Sequence, residues 1–412
     1  MPVYTWGFGK LGQLGHGNFD DCHTPTQVNN IARTRNRKFK PSSEFQRIGQ
    51  ISTGALFTAV LTQKGDLYVC GCGKHGRLGL ERSVDKLSCM TPVLVAKDTK
   101  VSQISTGSWH SAAITFLGRL YTWGYNGSGQ SHGILGRYAE NGVLPPRFCS
   151  VPGQVNCLHK TTIKQVSCGH NFTLVNSVDG EVFSWGSGHH GVLGHDSEQS
   201  VQKPQKIASF AQRAVLYVAA GYAHCGAIIA DGRIMTWGKA CDGALGLGSA
   251  TPSTNQLIPT PLNQTEIITK EFVAISCSVG EHRGHTLALT ADGTVYSWGS
   301  NFKGKLGLGD KRDRQTPERI SFGTTSPIVC ISAGGLHSGA VSADGSVWTW
   351  GSGKDGRIGH RDYETVIQKH SYYETLPKRL LIDNLAETEK PVQISCSKYH
   401  TVLRTDDVEM TS

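Results

Sequence analysis

One short word recurs along the whole chain and limits what it can fold into: a β-branched or aromatic run closed by Trp-Gly. It appears at Trp6, Trp123, Trp185, Trp237, Trp298 and Trp350, and Cys70 takes the Trp place in Leu67-Tyr68-Val69-Cys70-Gly71. The seven copies are spaced by roughly 50–65 residues and so account for nearly all of the 412 residues. A unit of that size cannot bury its hydrophobic face alone and must share a continuous core with its neighbours. Length by itself suggests two or three domains. The repeat replaces that expectation with a single domain over residues 1–412.

Within a unit, a strand ends in a word such as Ile104-Ser105-Thr106-Gly107, and three residues after the Gly a ring opens a second strand. That ring position reads Phe57, His110, Phe172, His224, His285, His337 and His400. A Gly separates the second strand from the Trp-Gly strand, four times as Asp-Gly (Asp179, Asp231, Asp292 and Asp344), the dipeptide that tolerates the positive φ of a tight hairpin. A Gly-x-Leu/Ile-Gly loop follows, as in Gly76-Arg77-Leu78-Gly79 and Gly304-Lys305-Leu306-Gly307. A Pro is then expected to start the last strand, at Pro25, Pro92, Pro145 or Pro146, Pro204, Pro261, Pro317 and Pro377. Pro cannot donate to a ladder on both sides, so that strand is an edge.

Four antiparallel strands with the last at an edge make a propeller blade, and seven blades make an all-β ring. Val3-Tyr4-Thr5-Trp6-Gly7 has no hairpin partner before it, and Lys398 to Asp407 is a first half with no Trp-Gly strand after it. The two ends are expected to share one blade and close the ring, which removes exposed edges. The 50 Gly and four Met suit short strands and tight turns, and no apolar run is long enough to span a bilayer. Met1 leads almost at once into the first strand, so neither a signal peptide nor an N-terminal tail is expected.

Twelve Cys invite a disulfide reading, yet Cys168, Cys277 and Cys396 stand where Thr53, Thr106, Ala220 and Ala333 stand in other units. A site shared by Cys, Thr and Ala is a small-residue packing position. Reduced thiols in an intracellular protein, cytoplasmic or nuclear, are therefore expected.

The Gly-x-x-His words, the Asp-Gly-x-Val-Tyr-Ser-Trp-Gly hairpin of Asp292 to Gly299 and the Gly-x-Leu-Gly loop resemble the regulator of chromosome condensation repeat family, over the whole chain. The resemblance implies the seven-bladed fold. It leaves function open, because the family includes an exchange factor for the small GTPase Ran, a plant ultraviolet-B photoreceptor and noncatalytic modules of kinases, ubiquitin ligases and ciliary proteins.

Chemical motifs reduce to the same repeat. Gly7-x-Gly9-x-x-Gly12 and the runs from Gly71, Gly186 and Gly351 imitate a dinucleotide fingerprint, but Leu, Val or Ile and another Gly follow in place of a helix. Gly299 to Lys305 imitates a phosphate loop, with Leu306 where a metal-ligating hydroxyl is needed. His110-Ser111, His224-Cys225 and His337-Ser338 look like base and nucleophile, yet Phe fills the same ring position twice and cannot act as a base. Cys70, Cys72 and His75, or His189, His190 and His195, lack paired zinc spacing. Only Trp109 and Arg283 fall where a Trp and Arg photoreceptor cluster would lie. No metal, cofactor or catalytic residue is expected.

Irregular loops are the more informative positions. An insertion after Pro25 carries Arg33, Arg35, Arg37, Lys38, Lys40 and Arg47 against Glu44, most of the formal net charge of +9. It reads first as solvated surface. As a patch it would take an acidic protein surface or anionic lipid ahead of nucleic acid. Other insertions follow Trp-Gly in the third, fifth and seventh units and lie between Glu281 and Gly284. Strand parity sends these four to one face of the ring and the basic loop to the other.

The leading expectation is a noncatalytic protein-interaction platform whose partners dock on the insertion-bearing face, at Arg137, Tyr138, Glu140, Asn141, Glu281, Arg283, Arg361, Asp362 and Tyr363. The alternative is guanine-nucleotide exchange on a Ran-like small GTPase. The resemblance puts an exchange wedge in the enlarged loop from Tyr125 to Leu144, although Tyr125 to His132 lacks the acidic residue expected in that turn.

Overall fold

A computed structural model describes residues 2–408 apart from 30–46, 82–83, 129–132, 138–145, 249–253, 281–282, 366–370 and 384. Among the described residues, twenty-eight strands form seven four-stranded antiparallel sheets. Taking blades in chain order, blade 1 covers 48–93, blade 2 101–154, blade 3 163–206, blade 4 215–261, blade 5 272–319 and blade 6 328–380. Blade 7 is composite: its sheet runs in the order Cys22–Gln27, Val3–Gly7, His400–Asp407, Glu389–Cys396, so the first strand of the chain lies between the second strand and the last. Val3 faces Arg404, Thr5 faces Val402 and Gly7 faces His400. The ring is closed as the two half-blades of the sequence require. No described helix is long and apolar enough to cross a membrane.

The Trp-Gly word has a backbone cause. Gly299 has φ +103°, and a Cβ there would sit 2.6 Å from the Gly284 carbonyl oxygen and 2.8 Å from His285 Cα. Its counterparts in the other units share the positive φ, from Gly7 at +110° to Gly351 at +94°. Only Gly takes that conformation and that approach together. The ladder to the outer strand slips at the same point, between Ser297 and Gly299, and this bulge turns the indole into the gap between blades.

There the indole joins one blade to the next. Trp298 Nε1–H donates to the Ala244 carbonyl at 2.8 Å, Trp123 to Arg77, Trp185 to Ile134, Trp237 to Val192, Trp350 to Lys305 and Trp6 to Arg357. Each acceptor is the x residue of the preceding Gly-x-Leu/Ile-Gly loop. The last Gly of that loop makes room for the ring: a Cβ on Gly307 would lie 2.8 Å from Trp350 Nε1. Apolar clusters likewise straddle neighbouring blades, as where Leu174, Val182 and Leu193 meet Val218, Ile229 and Trp237. Since the Trp298 indole is fully buried, Trp298→Ala should cost about 3–5 kcal/mol. Urea denaturation checks this, and an unchanged midpoint would contradict the interblade role.

One expectation is corrected. The prolines do not start the outer strands: Pro25, Pro204 and Pro317 lie inside Cys22–Gln27, Val201–Lys206 and Arg314–Arg319. These strands are edges in every sheet, so the missing N–H falls on a side that needs no donor. The twelve cysteines are free thiols, with Cys168, Cys277 and Cys396 buried.

The inner strands line a central channel of about 200 Å³. On one arc, glutamines clip neighbouring strands together. Gln50 donates to Ile104 O and accepts from Ile104 N–H, and Gln165 does the same to Val218. Serine hydroxyls add a second clip: Ser105 accepts from Cys168 N–H, Ser276 from Ala333 N–H and Ser332 from Cys396 N–H. Blade 4 has Tyr217 and Ala219 at these two positions, so its seam to blade 5 lacks both clips and relies on apolar contacts such as those of Ala219 with Ile275 and Cys277.

Candidate functional site

Every blade presents two connections on one face of the ring, the turn between its first two strands and the loop after Trp-Gly. The antiparallel order requires this, and it puts the described ends of the four insertions on one face. The connection from Gln27 to Ile48 belongs to the opposite face. Its basic residues Arg33, Arg35, Arg37, Lys38 and Lys40 lie outside the described residues.

The ring histidines are structural links. His110 Nε2 meets Thr173 Oγ1 at 2.9 Å, His224 meets Thr286, His285 meets Ser338, His337 meets Thr401 and His400 meets Thr58. Each hydroxyl spends its proton on a loop carbonyl, as Thr401 does on Arg357 O at 2.8 Å, and so must accept from the imidazole N–H. Nδ1 of His110, His285 and His337 is buried with no partner. Burial pushes His110 and His400 down to about 3 and His224 to about 4, and holds His285 and His337 well below the usual value. Ser111 donates to Arg77 O, away from His110. The apparent base and nucleophile pairs therefore belong to the blade-to-blade joints.

A second group of side chains lies in the loops beside these joints. In four loops the residue before Gly-x-Leu/Ile-Gly is left-handed without being Gly: His75 (φ 61°), His190 (63°), Lys303 (64°) and Asp355 (61°). Such a conformation costs about 1–3 kcal/mol. His75 is ringed by Trp109 at 5.9 Å, Tyr125 at 5.3 Å and Phe148 at 6.2 Å. The rings continue from Trp109 through His170 to Tyr222, whose centroid is 4.1 Å from that of His170. Phe148 is 53% exposed.

Beneath this arc lies Arg77, fully buried, its guanidinium 4.6 Å from the Trp109 ring. Its Nε and Nη1 donate to Lys74 O and Ser108 O, while Nη2 finds no acceptor. Burial first, then Arg77 and Lys74, lower the His75 pKa, which keeps a neutral imidazole among the rings. The arrangement is an aromatic surface on a buried positive charge, suited to gripping a protein partner. Tyr125 and Phe148 are the two roots of the enlarged blade 2 loop.

The residues expected from sequence are spread around the face. Arg137 folds inward: a Cβ on Gly153 would lie 1.8 Å from its Nη1, and burial lowers its pKa. Tyr138, Glu140, Asn141 and Glu281 lie outside the described residues. Arg361 pairs with Asp383 and Asp362 with the half-buried Lys378. Tyr363 belongs to the short turn Arg361–Glu364, its side chain outside the described residues. Arg283 lies 5.2 Å over the Phe302 ring, and its carbonyl accepts from the buried Lys305 ammonium, which burial pushes down to about 7. The arc of His75, Trp109, Tyr125, Phe148, His170 and Tyr222 was not expected. Its available signal was the ring residue next to the repeat His and the non-Gly residue before Gly-x-Leu-Gly.

Among the described residues, no group of three or more His, Cys, Asp or Glu could hold a metal ion. The profile of the RCC1-like domain matches residues 2–403. The chain is 30% identical to the Ultraviolet-B receptor UVR8 of Arabidopsis thaliana over 89% of its own length and 77% of the receptor's. It is 29% identical to the Regulator of chromosome condensation of Homo sapiens, covering 99% of this chain and 91% of that one. Among solved structures, Prp20p from Saccharomyces cerevisiae, described with its binding properties to Gsp1p and histones, shares the fold with a TM-score of 0.80 and 22% identity, over 99% of this chain and 92% of Prp20p. These matches correct the expectation of a chain without activity: the Regulator of chromosome condensation matches over nearly the whole chain and Prp20p, described as binding Gsp1p, shares the fold, so a flat exclusion of exchange does not hold.

Proposed function

The chain belongs to the RCC1-like domain family, and from that premise we propose that it binds a Ran-like small GTPase on the face around His75 and accelerates release of its nucleotide. The protein would work inside the cell, in the cytoplasm or nucleus. One observation carries the reading: the enlarged blade 2 loop, where the family resemblance puts an exchange wedge, is rooted at Tyr125 and Phe148 in the aromatic cluster. Exchange requires tighter binding to the nucleotide-free GTPase than to the loaded one. A loop pushed toward the phosphate site supplies that difference only if its roots are rigid, and the packing of His75, Trp109 and Arg77 gives them rigidity. The Gsp1p binding recorded for Prp20p supports the same choice of partner class.

The purified chain should accelerate release of fluorescent GDP from a Ran-like GTPase by at least about tenfold, which is 1.4 kcal/mol of differential binding. Deleting Tyr138 to Gly142 should abolish the effect, and Trp109→Ala should weaken it. One sequence feature favours a second reading, a platform that binds partners without exchange: Tyr125 to His132 contains no Asp or Glu. Binding without acceleration would select the platform and reject exchange.

A further inference from the structure

A second cluster on the same face repeats the His75 geometry with the opposite chemistry. At the equivalent loop position in blade 5 stands Lys303, left-handed at φ 64°. Its ammonium lies 5.9 Å from the Phe302 ring and 5.3 Å from that of Tyr373 in blade 6. Lys311 also approaches Tyr373, 5.3 Å from the centroid and 3.3 Å from the hydroxyl. Arg283 lies over Phe302, held by the bond from Lys305 to its carbonyl.

The nearby carboxylates are engaged elsewhere. Asp310 pairs with Arg312 and Arg314, Glu318 with Arg314, and Asp362 and Glu374 with Lys378, while Asp313 accepts the Asn301 N–H. Among the described residues Arg283, Lys303 and Lys311 form no ion pair with a carboxylate. Three uncompensated cations are thus parked over two rings, and Phe302 is 41% exposed.

We propose that Phe302 and Tyr373, with Arg283, Lys303 and Lys311, form a docking surface for an acidic segment of a partner protein. The rings hold the cations in place beforehand, so binding loses little side-chain freedom. They also offer apolar area to the partner's side chains. A continuous polyanion fits less well, because acids interrupt the patch: Asp310 and Asp313 stand within two residues of Lys311, and Glu374 follows Tyr373. A protein segment can set discrete carboxylates on the cations and neutral or basic residues beside the acids. This surface spans blades 5 and 6 and stands independently of exchange by the blade 2 loop.

The test is fluorescence polarisation with a short labelled peptide of alternating Glu and Leu, its Gln and Leu counterpart, and a duplex DNA of similar length. The Glu peptide should bind the intact chain in a salt-dependent way, ahead of both other probes. Lys303→Asn with Lys311→Glu should weaken that binding by about tenfold, equivalent to 1.4 kcal/mol. Asn is chosen at 303 because it tolerates the left-handed backbone. Phe302→Leu, which keeps every charge, should weaken binding more mildly, and Arg119→Glu on the opposite face should change nothing. Equal binding by the intact chain and the double variant would overturn the proposal, as would DNA binding tighter than the Glu peptide.

Discussion

Removing residues 1–7 should lower the melting temperature of the whole ring, and a synthetic peptide covering residues 1–28 should restore it. The strand Val3–Gly7 is an interior member of its sheet, paired to Cys22–Gln27 on one side and to His400–Asp407 on the other. Its loss detaches the outer strand, opens an edge on His400–Asp407 and removes Trp6, which is fully buried and donates to Arg357 O at 2.9 Å. The indole alone is worth about 3–5 kcal/mol, a large part of the roughly 5–15 kcal/mol that holds a typical domain folded. Thermal denaturation of the truncated chain is the measurement. An unchanged transition would mean that the composite blade does not close the ring.

Mild acid should unfold the protein, and the ring histidines set the direction. Their folded pKa values lie far below the unfolded value, chiefly through burial, with His170 adding to the effect at His110, Lys305 at His224 and His285, and Arg357 at His337 and His400. Below pH of about 6.5 the unfolded chain takes up protons that the folded chain refuses, so stability is full above that pH and is lost on acidification toward the folded values. Each such histidine costs about 1.4 kcal/mol per pH unit inside that window, or about 2 kcal/mol between pH 7 and 5. Five of them approach the whole stability of an ordinary domain. Urea midpoints across pH 7 to 5 should fall steeply. In His285→Phe, which copies Phe57 and Phe172, the fall should be shallower by about one histidine's share. A flat profile would show that the imidazoles titrate freely.

Legibility in the sequence followed the physics of the repeat. Gly299 must be Gly, Trp298 must fill the interblade gap and Gly307 must clear Trp350, so the same demands write nearly the same letters in each unit, with Cys70 once in the Trp place. Ring closure was readable because both ends carry recognisable halves of that unit. The aromatic arc was not readable, because its contacts join loops of different blades. Nothing in the word Lys74-His75-Gly76 says that Trp109, Tyr125 and Phe148 will stand around His75. Arg77 and Lys305 were equally hidden. They look like solvent-facing loop residues, yet the indole bond to their own carbonyls pulls them under the face, where their charges are buried. The prolines misled by a few positions because an edge strand tolerates them anywhere along its open side.

The composite blade also sets an order of events during synthesis. Pro2 and Thr405, which hydrogen-bond in the finished ring, are 403 positions apart in the chain. Hairpins form in about 1–10 μs, whereas a ribosome adding about 5–20 residues per second needs on the order of tens of seconds to reach Thr405. Blades 1 to 6 can therefore assemble while Val3–Gly7, with only Cys22–Gln27 to pair with, waits with its other edge open. A chain stopped before Thr401 would keep that waiting strand permanently, as an open edge beside an exposed Trp6 that chaperones and proteases can recognise. Closure of the ring thus waits for His400–Asp407, the last strand of the described fold to be made.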